Sequence, residues 1–164
     1  MSRGRERPRP GRLTGVGMRV VIPRMAAYSG TPLAKKLGIG HDARVAIISP
    51  PAGFDRTLGT LPPGVDVRQQ ARGRVDVLVF FATRRAELSR RFAAMARAIE
   101  PDGGLWIAWP KRRSGVATDL TGNVARDIGL ESGLVDNKVC AIDEAWSGLR
   151  FVYRRADRPN VNGR

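Results

Sequence analysis

Two almost uninterrupted apolar segments constrain the fold of this chain more than any other feature of its sequence. Residues 43–49 (ARVAIIS) and residues 75–82 (VDVLVFFA) are rich in β-branched and aromatic side chains. Such runs are typical of strands buried on both faces, as in a parallel sheet covered by helices on each side. The longest apolar run, residues 77–82, is far shorter than the roughly 20 residues that span a bilayer, so no membrane segment is predicted.

Helical patterns lie between these segments. Residues 31–37 (TPLAKKL) predict a short helix, with Pro32 at its first position and Gly38 as its stop. The clearest helix follows Thr83, its predicted N-cap, and residues 101–104 (PDGG) are predicted to end it. Its apolar stripe recurs every three or four residues and consists of Leu88, Phe92, Met95 and Ile99.

Shorter patterns complete the order of elements. Further strands are predicted at residues 65–68, 105–109, 135–142 and 149–154, and further helices at residues 54–61 and 121–132. The connection between the last two strands is too short for a crossover, so they should be antiparallel. Alternating strands and helices with apolar central strands predict an α/β fold: a Rossmann-like three-layer sandwich, with a mostly parallel sheet and an antiparallel last strand.

The positive charge is concentrated near the start of the chain. The net charge is +14, and residues 1–24 carry seven arginines and one glutamate. This segment has too few apolar residues to fold, so we predict a disordered basic arm, a single α/β domain at residues 25–157 and a disordered tail at residues 158–164. The arm has two interpretations: it binds phosphates non-specifically, or the reading frame is over-extended, since Met18 and Met25 are alternative starts. We favour the second.

One histidine and one cysteine exclude several kinds of site. The chain has no second cysteine for an internal disulfide and too few Cys and His residues for a zinc site, so no metal is predicted. His41 lies in a turn-like Gly40-His41-Asp42 segment, and Cys140 lies in an apolar strand, so we interpret them as a turn residue and a small buried residue. No export signal is present, which predicts a cytoplasmic location.

Candidate binding residues follow the strands, because ligands of parallel sheets bind beyond the carboxyl ends of the strands. The basic loop after the strand at 105–109 lies near a predicted helix N-terminus, and such a loop can hold a nucleotide, a phosphate group or a nucleic acid. Alternatively, the loop is only a solvated surface segment, and its polar residues form turns and helix caps. In that case at least one of Trp109 and Trp146 packs in the core. The candidates are Ser49, Thr83, Trp109, Lys111, Arg112, Arg113, Ser114, Thr118, Asp119, Asp143 and Trp146.

Four segments carry a resemblance to a known family. YSGTPLAKKLGI, PDGGLWIAWPK, SGVATDLT and DEAWSGLRF, within residues 28–157, resemble a bacterial family known only as a domain of unknown function. The layout from Leu33 to Arg154 also looks like a shortened S-adenosylmethionine-dependent methyltransferase domain. That resemblance implies a methyltransferase-like topology and, as the enzyme alternative, S-adenosylmethionine as the cofactor.

The chain departs from that pattern where such enzymes bind their cofactor. Their first strand normally leads into a glycine-rich turn, whereas this chain has Ser49-Pro50-Pro51-Ala52-Gly53, and two prolines remove amide donors. Their second strand ends in an acid, whereas residues 68–70 are Arg-Gln-Gln. We therefore predict no catalytic residue and no cofactor, and expect a binding or regulatory module for an anionic ligand. A methyltransferase with a rebuilt cofactor site and a structural or partner-binding protein remain the alternatives.

Overall fold

The computed structural model describes residues 31–158. Its strands are β1 (Arg44–Ile48), β2 (Asp66–Arg68), β3 (Val75–Phe81), β4 (Ile99–Pro110), β5 (Leu134–Ala141) and β6 (Trp146–Tyr153). Its helices are α1 (Leu33–Leu37), α2 (Phe54–Leu58), α3 (Arg85–Arg97) and α4 (Gly122–Glu131), with two short 3-10 turns at Arg112–Ser114 and Arg155–Asp157. All of these elements belong to the unit Pro32–Arg164. The predicted arm and residues 159–164 of the predicted tail lie outside the described residues.

The six strands form one sheet in the order β2-β1-β3-β4-β6-β5. β1 pairs in parallel with β2 and β3, and β3 pairs in parallel with β4. β6 pairs antiparallel with both β4 and β5. The predicted α/β sandwich with a mostly parallel sheet and an antiparallel final pair is therefore confirmed.

Two hydrophobic clusters cover the two faces of the sheet. α3 and α4 pack on one face through Leu88, Phe92, Met95, Ala125 and Ile128. α1 and α2 pack on the other face through Leu33, Leu37, Phe54 and Leu58. β3 supplies both clusters in alternation, with Leu78 and Phe80 on the α3 side and Val77, Val79 and Phe81 on the α1 side. This explains its continuous apolar sequence, because neither face of the strand meets water.

The α3 region differs from the sequence prediction in two ways. The helix ends at Arg97, and Ile99 begins β4, so residues 101–104 lie inside the strand and do not stop the helix. Ile99 still packs in the hydrophobic cluster under α3, so its spacing in the sequence matches the apolar stripe of that helix. At the other end the N-cap is Arg84 and not Thr83, and its side chain makes no capping hydrogen bond.

The backbones of β3 and β4 approach each other closely near the start of β4. The register between β3 and β4 shifts between Val75 and Val77, where a β-bulge lies. A Cβ atom on Gly103 would lie 2.7 Å from the carbonyl oxygen of Asp76, so only glycine fits there without a shift. The two glycines that suggest a turn in the sequence therefore serve strand pairing.

Candidate functional site

The carboxyl ends of β1, β3 and β4 lie along one edge of the sheet, and most of the predicted site residues lie along it. Two of them join neighbouring loops. The Thr118 hydroxyl donates to the carbonyl oxygen of Thr83 at 2.7 Å. The Asp119 carboxylate accepts from the backbone N–H of Arg85 at 2.7 Å and so caps α3 from a distant loop. The loops after β3 and β4 therefore form one connected surface.

Lys111 and Asp143 are committed to a neighbouring turn. The Lys111 ammonium donates to the carbonyl oxygen of Asp143 at 2.9 Å. The Asp143 carboxylate accepts from the backbone N–H groups of Ala145 and Trp146 at 2.7 and 2.8 Å. These contacts hold the connection between β5 and β6 against the end of β4, which is the turn-orienting role that the sequence left open for Asp143.

Both predicted tryptophans at this edge pack in the interior. Trp146 is 9% exposed and makes an edge-to-face contact with Phe81, with ring centroids 5.2 Å apart. Trp109, also 9% exposed, lies under the start of α4, where a Cβ atom on Gly122 would lie 3.2 Å from the indole ring. Trp106 is fully buried on the opposite face and donates from Nε1 to the carbonyl oxygen of Leu37 at 3.0 Å.

A cavity of about 560 Å³, the β4 cavity, lies between the end of β4, the loop that follows it and the start of α4. Trp109 lines it together with the polar side chains of Arg112, Thr118, Asp119 and Thr121. Thr121 is the N-cap of α4 and accepts from the backbone N–H of Val124 at 3.2 Å. Its other lining residues are Pro110, Gly115, Val116, Ala117, Leu120 and Gly122.

Two pairs of arginines follow the strands at this edge of the sheet. Arg112 and Arg113 follow β4, Arg84 and Arg85 follow β3, and of the four Arg112 lines the β4 cavity. All four are exposed, and within residues 31–158 none of them makes an ion pair, whereas Arg44 of β1 and Arg126 of α4 pair with carboxylates. The predicted set included Arg112 and Arg113 but not Arg84 and Arg85. The signal was available, because both pairs directly follow predicted neighbouring strands.

Two serines complete the predicted set. The Ser114 hydroxyl accepts from the backbone N–H of Val116 at 3.1 Å and so shapes the loop. Ser49 is exposed at the end of β1 and has a φ of 59°, a left-handed conformation that is unfavourable for a residue with a Cβ atom.

A second cavity, the β1 cavity, has a volume of about 500 Å³ and lies at the ends of β1 and β2. Pro50, Pro51 and Phe54 line it from the turn after β1 and from α2. Arg68 lines it from β2, and its guanidinium bonds to the Asp66 carboxylate at 2.8 Å and to the carbonyl oxygen of Arg72 at 3.2 Å. The rest of its lining is Ile47, Gly53, Asp55, Leu58, Gly59, Leu61, Val67 and Gln69.

The residues at the β1 cavity do not fit the usual mode of S-adenosylmethionine binding. Pro50 and Pro51 have no N–H to offer, and a ribose would meet a guanidinium at the end of β2 where it normally meets a carboxylate. Asp66, the nearest acid in that strand, is paired with Arg68. No step of a reaction is therefore derived through that cofactor.

His41 and Cys140 offer little chemistry. His41 is exposed in a turn. Burial raises the pKa of the half-buried Cys140 thiol, against the smaller opposing effects of Lys36 and Lys138, so the thiol is protonated at neutral pH. Within residues 31–158 no group of three His, Cys, Asp or Glu side chains is placed to hold a metal ion, and no described helix has the length and apolar character of a membrane span.

Solved structures with a similar fold include two methyltransferases. An S-adenosylmethionine-dependent methyltransferase from Aquifex aeolicus superposes with a TM-score of 0.55 at 13% identity, over 79% of this chain and 92% of that chain. DhpI in complex with S-adenosylhomocysteine gives a TM-score of 0.55 at 11% identity, over 82% and 88%. Magnesium protoporphyrin IX methyltransferase from Synechocystis PCC 6803 gives 0.51 at 12% identity, over 74% and 78%.

These identities are too low to transfer an activity, since one fold serves many functions. No protein-family model and no curated protein sequence matches the chain. The TM-scores above 0.5 show that these structures share the fold of this chain. The chain therefore has a Rossmann-like, methyltransferase-like α/β fold.

Proposed function

We propose that this protein is a non-catalytic binding module that holds an anionic ligand, a nucleotide or a phosphate group, at the β4 cavity. The observation that carries the proposal is the pair of basic loops around it. Arg84 and Arg85 follow β3, Arg112 and Arg113 follow β4, and no ion pair within residues 31–158 neutralises them. Membership of the bacterial family that residues 28–157 resemble is part of this proposal.

The helix that starts at this edge adds to the positive potential. The N-terminus of α3 carries partial positive charge, and an arginine there, such as Arg85, adds to an electrostatically unfavourable end. Asp119 is the carboxylate that contacts this terminus. A bound anion would relieve the remaining repulsion, and guanidinium groups suit phosphate oxygens because they donate two parallel hydrogen bonds.

The shape of the cavity suits a ligand with an apolar part beside its charge. Trp109, Val116 and Leu120 give the cavity apolar lining, and Arg112 adds a positive charge. A nucleotide combines a flat base with phosphate groups, so it matches this combination better than a free ion does. Trp109 is 9% exposed, so only a small part of the indole is available to a base.

Calorimetric titration of the full chain with ATP and with S-adenosylmethionine, at low ionic strength, tests the proposal. We expect saturable binding of ATP that weakens with salt, and no saturable binding of S-adenosylmethionine. The double variant Arg112→Gln/Arg113→Gln should weaken ATP binding about tenfold or more, because each charge-assisted hydrogen bond contributes about 1.5 kcal/mol or more.

Arg90→Gln/Arg97→Gln is the matched control for that experiment. Both arginines are exposed on α3 and neither lines the β4 cavity, so the variant removes the same two positive charges away from the cavity. ATP affinity should not change in this variant. Equal losses in the control and in the double variant would reduce the effect to net charge and contradict the proposed site.

One observation favours the enzyme alternative, a methyltransferase with a rebuilt cofactor site. The β1 cavity, about 500 Å³, lies at the carboxyl ends of β1 and β2. If S-adenosylmethionine binds there, it should raise the melting temperature of the protein, and Leu61→Trp should abolish that rise by filling the cavity. Saturable binding of this cofactor without any response to ATP would overturn our preferred function.

A further inference from the structure

A half-buried arginine lies on the opposite face of the sheet from α3, away from the β4 cavity. Arg150 of β6 pairs in register with Trp106 on one side and with Lys138 on the other. Its guanidinium lies directly against Gly104, where a Cβ atom would lie 2.9 Å from Cζ. The glycine leaves room for a planar charged group beside the sheet, where an alanine would displace it.

Arg150 lacks a counter-charge. Within residues 31–158 no carboxylate forms an ion pair with it, and the hydrogen bond from its Nη1 to Asn137 Oδ1 is long, at 3.4 Å. Asn137 lies where the β5–β6 register shifts between Asp136 and Lys138. A β-bulge of this kind turns a side chain toward a new direction, and here the amide faces Arg150.

A second guanidinium lies close to the first. Arg158 follows the 3-10 turn after β6, and its Nε is buried without a hydrogen-bond partner among residues 31–158. Burial lowers the pKa of Arg150, and the positive charge of Arg158 lowers it further, so the two groups are near enough to repel each other. A buried N–H without a partner is costly, and so is the repulsion between two neighbouring like charges.

Two lysines extend this positive region. The Lys138 ammonium donates to the carbonyl oxygen of Lys36 at the end of α1, at 3.1 Å. Lys36, Lys138, Arg150 and Arg158 together form what we call the hairpin cation cluster. No carboxylate within residues 31–158 makes an ion pair with any of the four. By contrast, Arg126 pairs with Asp136, which precedes the bulge on β5.

We propose that the hairpin cation cluster is a binding site for a phosphate group, with Arg150 and Arg158 as its primary ligands and Asn137 as a polar neighbour. A doubly charged oxyanion matches two guanidinium groups in charge and accepts several N–H donors at once, including the unpartnered Nε of Arg158. A carboxylate brings a single charge and only two acceptor oxygens. The site shares no residue with the β4 cavity, so this inference stands independently of the proposed function.

Titration of the full chain with inorganic phosphate at low ionic strength, followed by calorimetry, tests the site directly. We expect saturable binding that is at least tenfold tighter than binding of acetate. Arg150→Gln and Arg158→Gln should each weaken phosphate binding at least tenfold. Arg90→Gln, an exposed arginine of α3 on the other face of the sheet, is the matched control and should bind phosphate as the parent chain does.

Thermal unfolding gives a second measurement that a general loss of charge would not reproduce. Without phosphate, Arg158→Gln should raise the melting temperature by about 2–4 °C, because it removes the repulsion between two neighbouring positive charges. Phosphate should raise the melting temperature of the parent chain and of Arg112→Gln/Arg113→Gln, but not that of Arg158→Gln.

Three outcomes would overturn the site. The first is the absence of saturable phosphate binding by the parent chain. The second is unchanged phosphate affinity in both Arg150→Gln and Arg158→Gln. The third is loss of phosphate binding in Arg112→Gln/Arg113→Gln alone, which would assign the anion to the β4 cavity.

Discussion

The β1 cavity and the β4 cavity lie along the same edge of one sheet and have similar volumes, about 500 and 560 Å³, yet their chemistry differs. Around the β1 cavity the backbone lacks N–H donors at Pro50 and Pro51, and Arg68 is neutralised by Asp66. Around the β4 cavity the arginines make no ion pair within residues 31–158. Within one fold, the arginines without an ion pair therefore follow β3 and β4, whereas the arginine at the end of β2 is paired.

The difference shows that two parts of one sheet edge can carry different charge within a single fold. The strands and the two clusters are specified by buried apolar residues, whereas the basic side chains of Arg84, Arg85, Arg112 and Arg113 lie outside the clusters. Exposed positions in loops accept new side chains at little cost. Variants that alter a single cavity test this difference.

The largest expected effect concerns the floor of the β4 cavity. Trp109→Ala should destabilise the protein by about 3–5 kcal/mol, because it removes a large side chain that is packed under α4. Chemical denaturation followed by circular dichroism measures the change. Leu61→Ala, on the half-buried wall of the β1 cavity, is the matched control and should cost about 1 kcal/mol. A loss below about 1 kcal/mol for Trp109→Ala would show that the indole is not part of the core.

An intermediate effect concerns Asp119, which caps α3 from the loop after β4. Asp119→Ala should destabilise the protein by about 1–2 kcal/mol through loss of the cap. Asp119→Asn keeps an acceptor oxygen for the cap, so it should destabilise the protein less than Asp119→Ala does. Because this variant also removes a negative charge from the β4 cavity, ATP binding should become about twofold to fivefold tighter.

Asp55→Asn supplies the control for the charge effect. Asp55 lines the β1 cavity, so this variant removes the same charge from the other site. ATP affinity should stay at the value of the parent chain. If Asp55→Asn tightened ATP binding and Asp119→Asn did not, the ATP site would lie at the β1 cavity and not at the β4 cavity.

The smallest expected effect concerns the turn after β1. Ser49 holds a φ of 59°, so Ser49→Gly should stabilise the protein by about 0.5–1 kcal/mol, the relieved strain exceeding the added entropy of the unfolded chain. Gly53→Ala, at a φ of 81°, should have the opposite sign and cost about 1 kcal/mol. Thermal unfolding measures both changes. A Ser49→Gly variant that is less stable than the parent would mean that the hydroxyl makes a contact that outweighs the strain.

Much of the fold could be predicted from the sequence. The buried character of β1 and β3, the helix that became α3 and the antiparallel final pair all follow from periodicity and from short connections. The start of β4 could not be predicted, because Ile99 satisfies a helical stripe as well as it begins a strand. Local pattern does not distinguish these when the same cluster buries the residue either way.

The loops that line the β4 cavity were predicted from the sequence, but their contacts were not. The basic loop after β4 was identified, and so were Thr118, Asp119 and Asp143, whose hydrogen bonds in the structure hold loops together. Their partners are distant in the sequence, and a capping bond from Asp119 to Arg85 leaves no local trace. Composition shows that arginine is abundant but not which arginines lack a carboxylate.

Three features follow from the sequence alone: the alternation of strands and helices, the single cysteine and single histidine, and the two prolines in the turn after β1. Those features are local, and burial follows the spacing of apolar residues. The tertiary structure was needed to show that the loops after β3 and β4 form one connected surface and that Arg150 and Arg158 are near enough to repel each other. The reason is physical: the free energy of a charge depends on what lies within a few ångströms of it, and those neighbours come from distant parts of the chain.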